Sequence, residues 1–193
     1  MQLAARLGAV LAARSERCAT AESCTGGGIA WTCTAVAGAS DWFECGLVTY
    51  SLAAKRALLG VPAALLERHG AVSEPVARAM AEGARAAAGT ELAMSVTGVA
   101  GPGGGDVLLP VGTVWFGWAR RDAPTVTAVH RIDGDRTMVR DAAIRIALQG
   151  ALAMVGDGSA QARPAPRDLT PEDPAARRSG VPGPVDPGKS PGG

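Results

Sequence analysis

Ser23 is the candidate nucleophile of this chain. It stands in Glu22-Ser23-Cys24-Thr25-Gly26-Gly27-Gly28, at an expected strand end just before glycines and a helix start. A helix N-terminus favours developing negative charge, which suits a serine that attacks. The other reading of Ser23 is a plain helix N-cap. A serine nucleophile needs a base, and neither His69 nor His130 is obviously paired with it. Lys55 is the alternative. The chain has 17 arginines and two lysines, Lys55 and Lys189. Arginine stays protonated in proteins, whereas lysine loses its proton when desolvated and then acts as a base. A sequence that writes arginine almost everywhere and keeps lysine at position 55 points to a role for deprotonation; a leftover surface lysine is the competing account.

Further polar residues gather at other expected strand ends. Tyr50 is the only tyrosine and precedes Lys55 by five residues. Thr97-Gly98 leads into Gly101-Pro102-Gly103-Gly104-Gly105. In open α/β sheets ligands collect beyond the carboxyl ends of the strands, and glycines let backbone amides approach them closely. A flexible loop explains the same run. Arg136 and Arg140 stand at i and i+4 near a helix start, on one face that suits a phosphate or simply solvent. Asp133 and Asp135 read as residues that cap or brace that helix. Cys24 and Thr25 are weaker nucleophile candidates than Ser23.

These side chains need a frame, and the pattern supplies one. Leu3, Leu7, Val10 and Leu11 give Met1 to Ser15 helical spacing. Strands are expected at Arg17 to Ala21, Phe43 to Tyr50, Glu91 to Val96, Val111 to Ala119 and Pro124 to Ile132, the last two as an antiparallel hairpin. Between them fall helices at Ile29 to Val36, Leu52 to Leu58, Pro62 to Arg68 and about Ser73 to Ala88. The last of these is expected to be capped by Ser73, with proline in its first turn. Asp135 to Val155 closes as a long helix whose expected buried face carries Met138, Ile144, Leu148, Leu152 and Val155. Alternating helices and strands with a late hairpin predict an α/β fold, a three-layer α/β/α sandwich around a mixed sheet.

Composition bounds what this frame does. With 193 residues, 47% apolar content and net charge +1, the chain is of ordinary globular make-up. It lacks the basic surplus of a nucleic-acid binder that works by phosphate neutralisation. No stretch reaches the roughly 18 to 20 apolar residues that span a bilayer, and the N-terminal pattern is not a signal peptide. A cytoplasmic location is expected, without nucleic-acid or membrane partners. Cys18, Cys24, Cys33 and Cys45 have spacings that match neither a zinc site nor a disulfide framework, so they read as small core residues and no metal is expected. Large apolar residues nearly vanish after Gly156. The expected organisation is a folded domain over 1–156 and a disordered Pro/Gly-rich tail over 157–193.

Taken together, Thr20-Ala-Glu-Ser-Cys-Thr-Gly-Gly27, Gly46-Leu-Val-Thr-Tyr-Ser51 with Lys55, Leu59-Gly-Val-Pro62, and Arg68-His-Gly-Ala-Val-Ser-Glu74 resemble the CinA C-terminal domain family of nicotinamide-nucleotide amidases. Val96-Thr-Gly-Val-Ala-Gly-Pro-Gly-Gly-Gly105, Pro110-Val-Gly-Thr-Val114 and Gly134-Asp-Arg136 extend the resemblance, in order, over nearly all of 1–155. It implies metal-free, cofactor-free hydrolysis of the carboxamide of nicotinamide mononucleotide, and a homo-oligomer, dimer or larger. It implies Ser23 as nucleophile, with Lys55, Tyr50 and Thr97 as catalytic partners. Neutral Lys55 would take the Ser23 proton, through or alongside Tyr50. Thr25, Gly26, Gly27, Gly98 and Gly101 would shape the substrate site, with amides near Gly26 and Gly98 facing the oxyanion. Arg136 or Arg140 would hold the phosphate. Two positions depart from the family pattern: Leu52 replaces an asparagine, and Leu109 replaces a basic residue. They motivate two alternatives, a nucleotide-binding module without turnover and an amidase of a related small amide.

Overall fold

A computed structural model describes residues 1–156; the tail expected over 157–193 lies outside the described residues. The elements are α1 (Gln2–Ala13), β1 (Cys18–Glu22), α2 (Gly28–Thr34), β2 (Phe43–Val48), α3 (Leu52–Leu59), α4 (Ala63–His69), α5 (Glu74–Ala88), β3 (Leu92–Gly98), β4 (Thr113–Arg120), β5 (Val126–Arg131) and α6 (Arg136–Val155). The sheet order is β2-β1-β3-β4-β5. β2, β1 and β3 run parallel, whereas β4 and β5 are antiparallel additions. The expected mixed sheet and hairpin are therefore present, with element ends displaced by at most two residues.

Strand alternation divides the core in two. On one face Cys18, Met94, Val96, Phe116 and Trp118 pack against α1, α2 and α6. On the other, Ala19, Ala21 and Ala93 meet Leu59, Leu66, Val76, Met80 and Ala84 from α3, α4 and α5. This is the α/β/α sandwich. Small residues let the layers close. The Ser95 hydroxyl donates to the Ala77 carbonyl of α5 at 2.6 Å, and Gly150 leaves room on α6 for the Trp118 indole, whose N–H donates to Ala147 O at 2.8 Å.

Two expectations are corrected here. Met138 is 58% exposed, and the buried face of α6 is instead Val139, Ala143, Ala147, Leu148, Ala151, Leu152 and Val155. Choosing the large residues overlooked the alanines, which let α6 lie close to the sheet. Ser73 occupies the N-cap position of α5 without capping it, because its hydroxyl donates back to Gly70 O at 3.0 Å. Side-chain caps are found instead at Ser51 for α3 and Asp135 for α6.

Gly83 of α5 faces the carbonyl of Leu59, so α3 rests directly on the α5 backbone one turn beyond Lys55. G83A is expected to push α3 outward and destabilise the fold by about 1–3 kcal/mol. G103A, on an open loop with nothing within 4 Å of the new methyl, is expected to be silent. Chemical denaturation of both variants beside the parent checks this.

Candidate active site

The site forms where β1, β2 and β3 end together. Ser23 N–H donates to Val96 O at 3.0 Å and Thr49 N–H donates to Glu22 O at 2.7 Å, each extending a parallel ladder by one bond. Residues 22 and 23 consequently keep strand alternation and face opposite layers. Ser23 turns toward α3. Glu22 turns toward α2.

After β2 the chain bends at Thr49-Tyr50 and enters α3, with the Ser51 hydroxyl accepting from Ala54 N–H at 3.1 Å. Helical side chains lean toward their own N-terminus, so Lys55 reaches back over that bend. Its side chain is fully buried, at 0% exposure. Nζ lies 3.1 Å from Ser23 Oγ, and it donates to Thr49 O at 2.7 Å and to Tyr50 O at 3.3 Å. Burial lowers the Lys55 pKa from 10.5 to about 8, against a lesser opposing contribution from Cys24. A neutral amine has two N–H groups and one lone pair. Two carbonyls accept the N–H groups, which leaves the lone pair for the serine hydroxyl. This arrangement can take a proton from Ser23.

Glu22 faces away from Lys55, which has no counter-ion among the described residues. The carboxylate is fully buried on the far face, where Oε1 accepts from Thr20 Oγ1 (3.2 Å) and Ala30 N–H (2.8 Å). Oε2 accepts from Thr25 Oγ1 (2.7 Å) and Ile29 N–H (3.0 Å). Ile29 and Ala30 form the first turn of α2, so the anion expected at that helix start is supplied by the protein itself. The α2 field is therefore spent on Glu22 rather than on Ser23, which corrects the reason first given for serine reactivity. The Cys24 thiol is pushed up to about 11, chiefly by burial, and packs in the α1–α2–α6 core. All four cysteines are free, and three are buried.

The remaining candidates fall into distinct places. Gly26 and Gly27 adopt φ of +62° and +92°, conformations that glycine takes without strain, and close the turn from Ser23 to α2. Gly26 N–H donates to Ser23 O at 3.1 Å, so it is engaged within the turn and unsuited to the oxyanion role expected for it. Gly98 differs. Val99 N–H bonds Thr113 O at 2.9 Å, and strand alternation then turns the Gly98 amide away from β4, toward β1 and Ser23. Thr97 is next to Ser23 in register, and its hydroxyl donates to Ala71 O at 2.8 Å, bracing the loop before α5. Tyr50 meets Lys55 through its carbonyl while its side chain is 66% exposed, so the contact seen is not a phenol relay.

Beside the turn lies a cavity of about 200 Å³ bordered by Cys24, Tyr50, Gly98, Gly101 and Arg136. A second, of about 320 Å³, adjoins it at Ala100, Gly101 and Arg136 and extends to Asp135 and Thr137 at the start of α6. Arg136 donates to Gly101 O at 2.8 Å between the two. Arg140 borders neither cavity; it donates to Thr25 O at 3.0 Å and holds the nucleophile turn from outside. Leu52 is exposed on α3, and Leu109 lies half-buried in a loop where its N–H donates to Asp106 Oδ1 at 2.7 Å. Neither side chain takes part in the bonds that hold Ser23 and Lys55.

Sequence reasoning missed Glu22 and Thr49. A glutamate inside the otherwise uncharged strand Cys18-Ala-Thr-Ala-Glu22 was a signal for the first. Thr49 contributes a main-chain carbonyl, for which residue type carries no signal.

Residues 1–155 match the CinA C-terminal domain family. The chain is 51% identical over 151 residues to the nicotinamide-nucleotide amidohydrolase PncC of Enterobacter agglomerans, covering 78% of this chain and 92% of that one. With the protein of the same name from Escherichia coli K12 it shares 49% over 149 residues, 77% and 90% of the two chains. A crystal structure described as the competence/damage inducible protein CihA from Agrobacterium tumefaciens superposes with TM-score 0.78 at 40% identity, over 79% of this chain and 93% of that one.

The depressed Lys55 pKa gives a stability signature. Below about pH 8 both folded and unfolded chains carry the proton and the cost of burying the charge is present in full. Between about 8 and 10.5 only the unfolded chain keeps it, so this group's contribution to stability rises with pH. Comparison with K55M cancels the other groups. The stability difference between parent and K55M is expected to shift in the parent's favour by about 1 kcal/mol per pH unit within that window. Urea midpoints at pH 7.5, 8.5 and 9.5 measure it; a constant difference means that the amine titrates normally.

Proposed function

The chain belongs to the CinA C-terminal domain family, and from that premise we propose that it hydrolyses the carboxamide of nicotinamide mononucleotide to nicotinate mononucleotide and ammonia. The PncC relatives that share about half of its residues carry that activity in their name. The observation that carries the mechanism is the 3.1 Å contact between a buried amine and the Ser23 hydroxyl.

Neutral Lys55 accepts the Ser23 proton as Oγ attacks the amide carbon. The developing oxyanion faces the main-chain N–H groups of Cys24 and Gly98, two residues that border the smaller cavity. Collapse breaks the C–N bond, and protonated Lys55 returns its proton to the departing nitrogen, which leaves as ammonia. Water then gives a proton to Lys55 and its oxygen to the acyl carbon. The ester bond breaks, and Ser23 Oγ recovers its proton from Lys55. The 2.7 Å bond to Thr49 O keeps the amine on station in both protonation states.

The smaller cavity takes the carboxamide and its ring, and the larger takes the ribose phosphate. Arg136 is the phosphate ligand in this reading, because it borders both cavities and its guanidinium suits a phosphate. Arg140 and Thr97 are braces in this reading, and the Tyr50 ring forms part of the wall. A homo-oligomer, dimer or larger, is supported by exposed apolar side chains at the β2 edge, Trp31 at 70%, Val48 and Leu52. Four free thiols suit a reducing, cytoplasmic setting.

Ammonia release from nicotinamide mononucleotide is expected in the parent and reduced by about 10³-fold or more in S23A and in K55M. R136A is expected to raise KM about 10-fold or more with a smaller change in kcat. In the parent, kcat/KM is expected to rise tenfold per pH unit and level off near pH 8, where Lys55 becomes neutral. Calorimetric binding of the mononucleotide with no product would return the chain to the reading of a nucleotide-binding module. Turnover of another amide in a substrate panel, with none here, would move the substrate and keep the mechanism.

A further inference from the structure

We infer that Glu22 is a positioning residue for the nucleophile, a carboxylate that sets where Ser23 stands by tying strand, turn and helix together from the opposite face of the sheet. The inference takes Ser23 as nucleophile from the reading above and adds a residue with no part in the proton transfers.

The geometry is that of a built site. Glu22 is fully buried, yet all four of its contacts are donors, two on each oxygen, which is the complement a carboxylate needs. Those donors come from three elements. Thr20 belongs to β1, Thr25 to the turn, and Ile29 and Ala30 to the first turn of α2. Ser23 lies between the carboxylate and the turn that the carboxylate holds. Its own amide is pinned to Val96 O at 3.0 Å, so a shift of Thr25 or of α2 rotates residue 23 about that bond and moves Oγ relative to Lys55. Arg140 on Thr25 O closes the clamp from the other side.

A carboxylate suits this place better than its amide. Each Glu22 oxygen meets one threonine hydroxyl and one main-chain N–H, so glutamine at position 22 sets its NH2 group against a hydroxyl that can turn to accept and a main-chain amide that cannot. Either the turn withdraws or a buried donor is left unpaired. The effect should fall on the reaction rather than on substrate affinity, because Glu22 borders neither cavity.

The test is E22Q, with T25V as a milder variant that removes one of the four donors. In E22Q, kcat for ammonia release from nicotinamide mononucleotide is expected to fall about 100-fold with KM within about threefold, as a displacement near 1 Å would produce. T25V is expected to fall about 10-fold in the same direction. In a crystal structure of E22Q, Ser23 Oγ is expected beyond hydrogen-bond reach of Lys55 Nζ over an unmoved sheet. A purely structural role predicts a lower melting temperature with kcat per folded molecule unchanged, and that result overturns the inference. So does a crystal structure that keeps the 3.1 Å contact. A parent enzyme that releases no ammonia overturns the amidase reading instead, and the crystal structure then decides the case of Glu22. If E22Q does not fold, T25V decides it: kcat at the parent level sinks the inference, and a selective fall in kcat supports it.

Discussion

An amine kept out of water without a counter-ion among the described residues is the constraint on which this structure turns. Lys55 is fully buried and surrounded by acceptors that are neutral: two carbonyls and a hydroxyl. A carboxylate beside it would stabilise the ammonium and hold the pKa high. One lies a single residue from Ser23. Strand alternation sends it to the other side of the sheet, so the pleat of β1 separates the acid of Glu22 from the base of Lys55. The parallel bonds at Ser23 and Thr49 extend that pleat beyond the regular strands and keep the separation in force. Desolvation, which outweighs the opposing contribution of Cys24, then brings the amine to about 8, within reach of neutral pH.

The same logic redistributes the fields available for anions. A strand, a glycine turn and a helix form a ready anion site at the start of α2, and here Glu22 fills it. Charge stabilisation for a substrate must come from elsewhere. In the proposed reading Arg136, which stands between two cavities, meets that need, while Asp135 caps the same helix through Met138 N–H at 2.9 Å. Two arginines with identical helical spacing thus divide the labour. Arg136 faces the cavities, and Arg140, one turn later, meets the carbonyl of Thr25.

How much of this was legible beforehand depended on whether the signal lay in a side chain or in the backbone. Hydrophobic period and turn residues disclosed the layered sheet, because those patterns are the forces that build it. The lone lysine of the folded region stood out against the arginines, since only lysine titrates in a useful range. The contact partners of that lysine were hidden, as Thr49 and Tyr50 serve through carbonyls that every residue type possesses. Gly26 and Gly98 read alike as glycines at strand ends. Only the ladder of β3 and β4 distinguishes an amide engaged in its own turn from one directed at the nucleophile. Met138 looked like core because it is large, yet α6 meets the sheet with alanines. Glu22 was visible and was passed over, being read as part of a motif instead of as a charge inside a buried strand.

The proposed choice of Ser23 as nucleophile follows from the same pleat. Ser23 and Cys24 are adjacent, and a thiol is the stronger nucleophile once ionised. Cys24, however, packs in the α1–α2–α6 core with its pKa pushed up to about 11 by burial, the Lys55 charge outweighing that of Glu22. An amine titrating near 8 leaves such a thiol protonated. In the proposed mechanism the serine needs no prior ionisation, because its proton moves to Lys55 as the bond to carbon forms. Burial thus suppresses the cysteine, while the pleat keeps the carboxylate away from the amine and leaves that base for the serine in the proposed mechanism. The weaker intrinsic nucleophile is the one this backbone can activate.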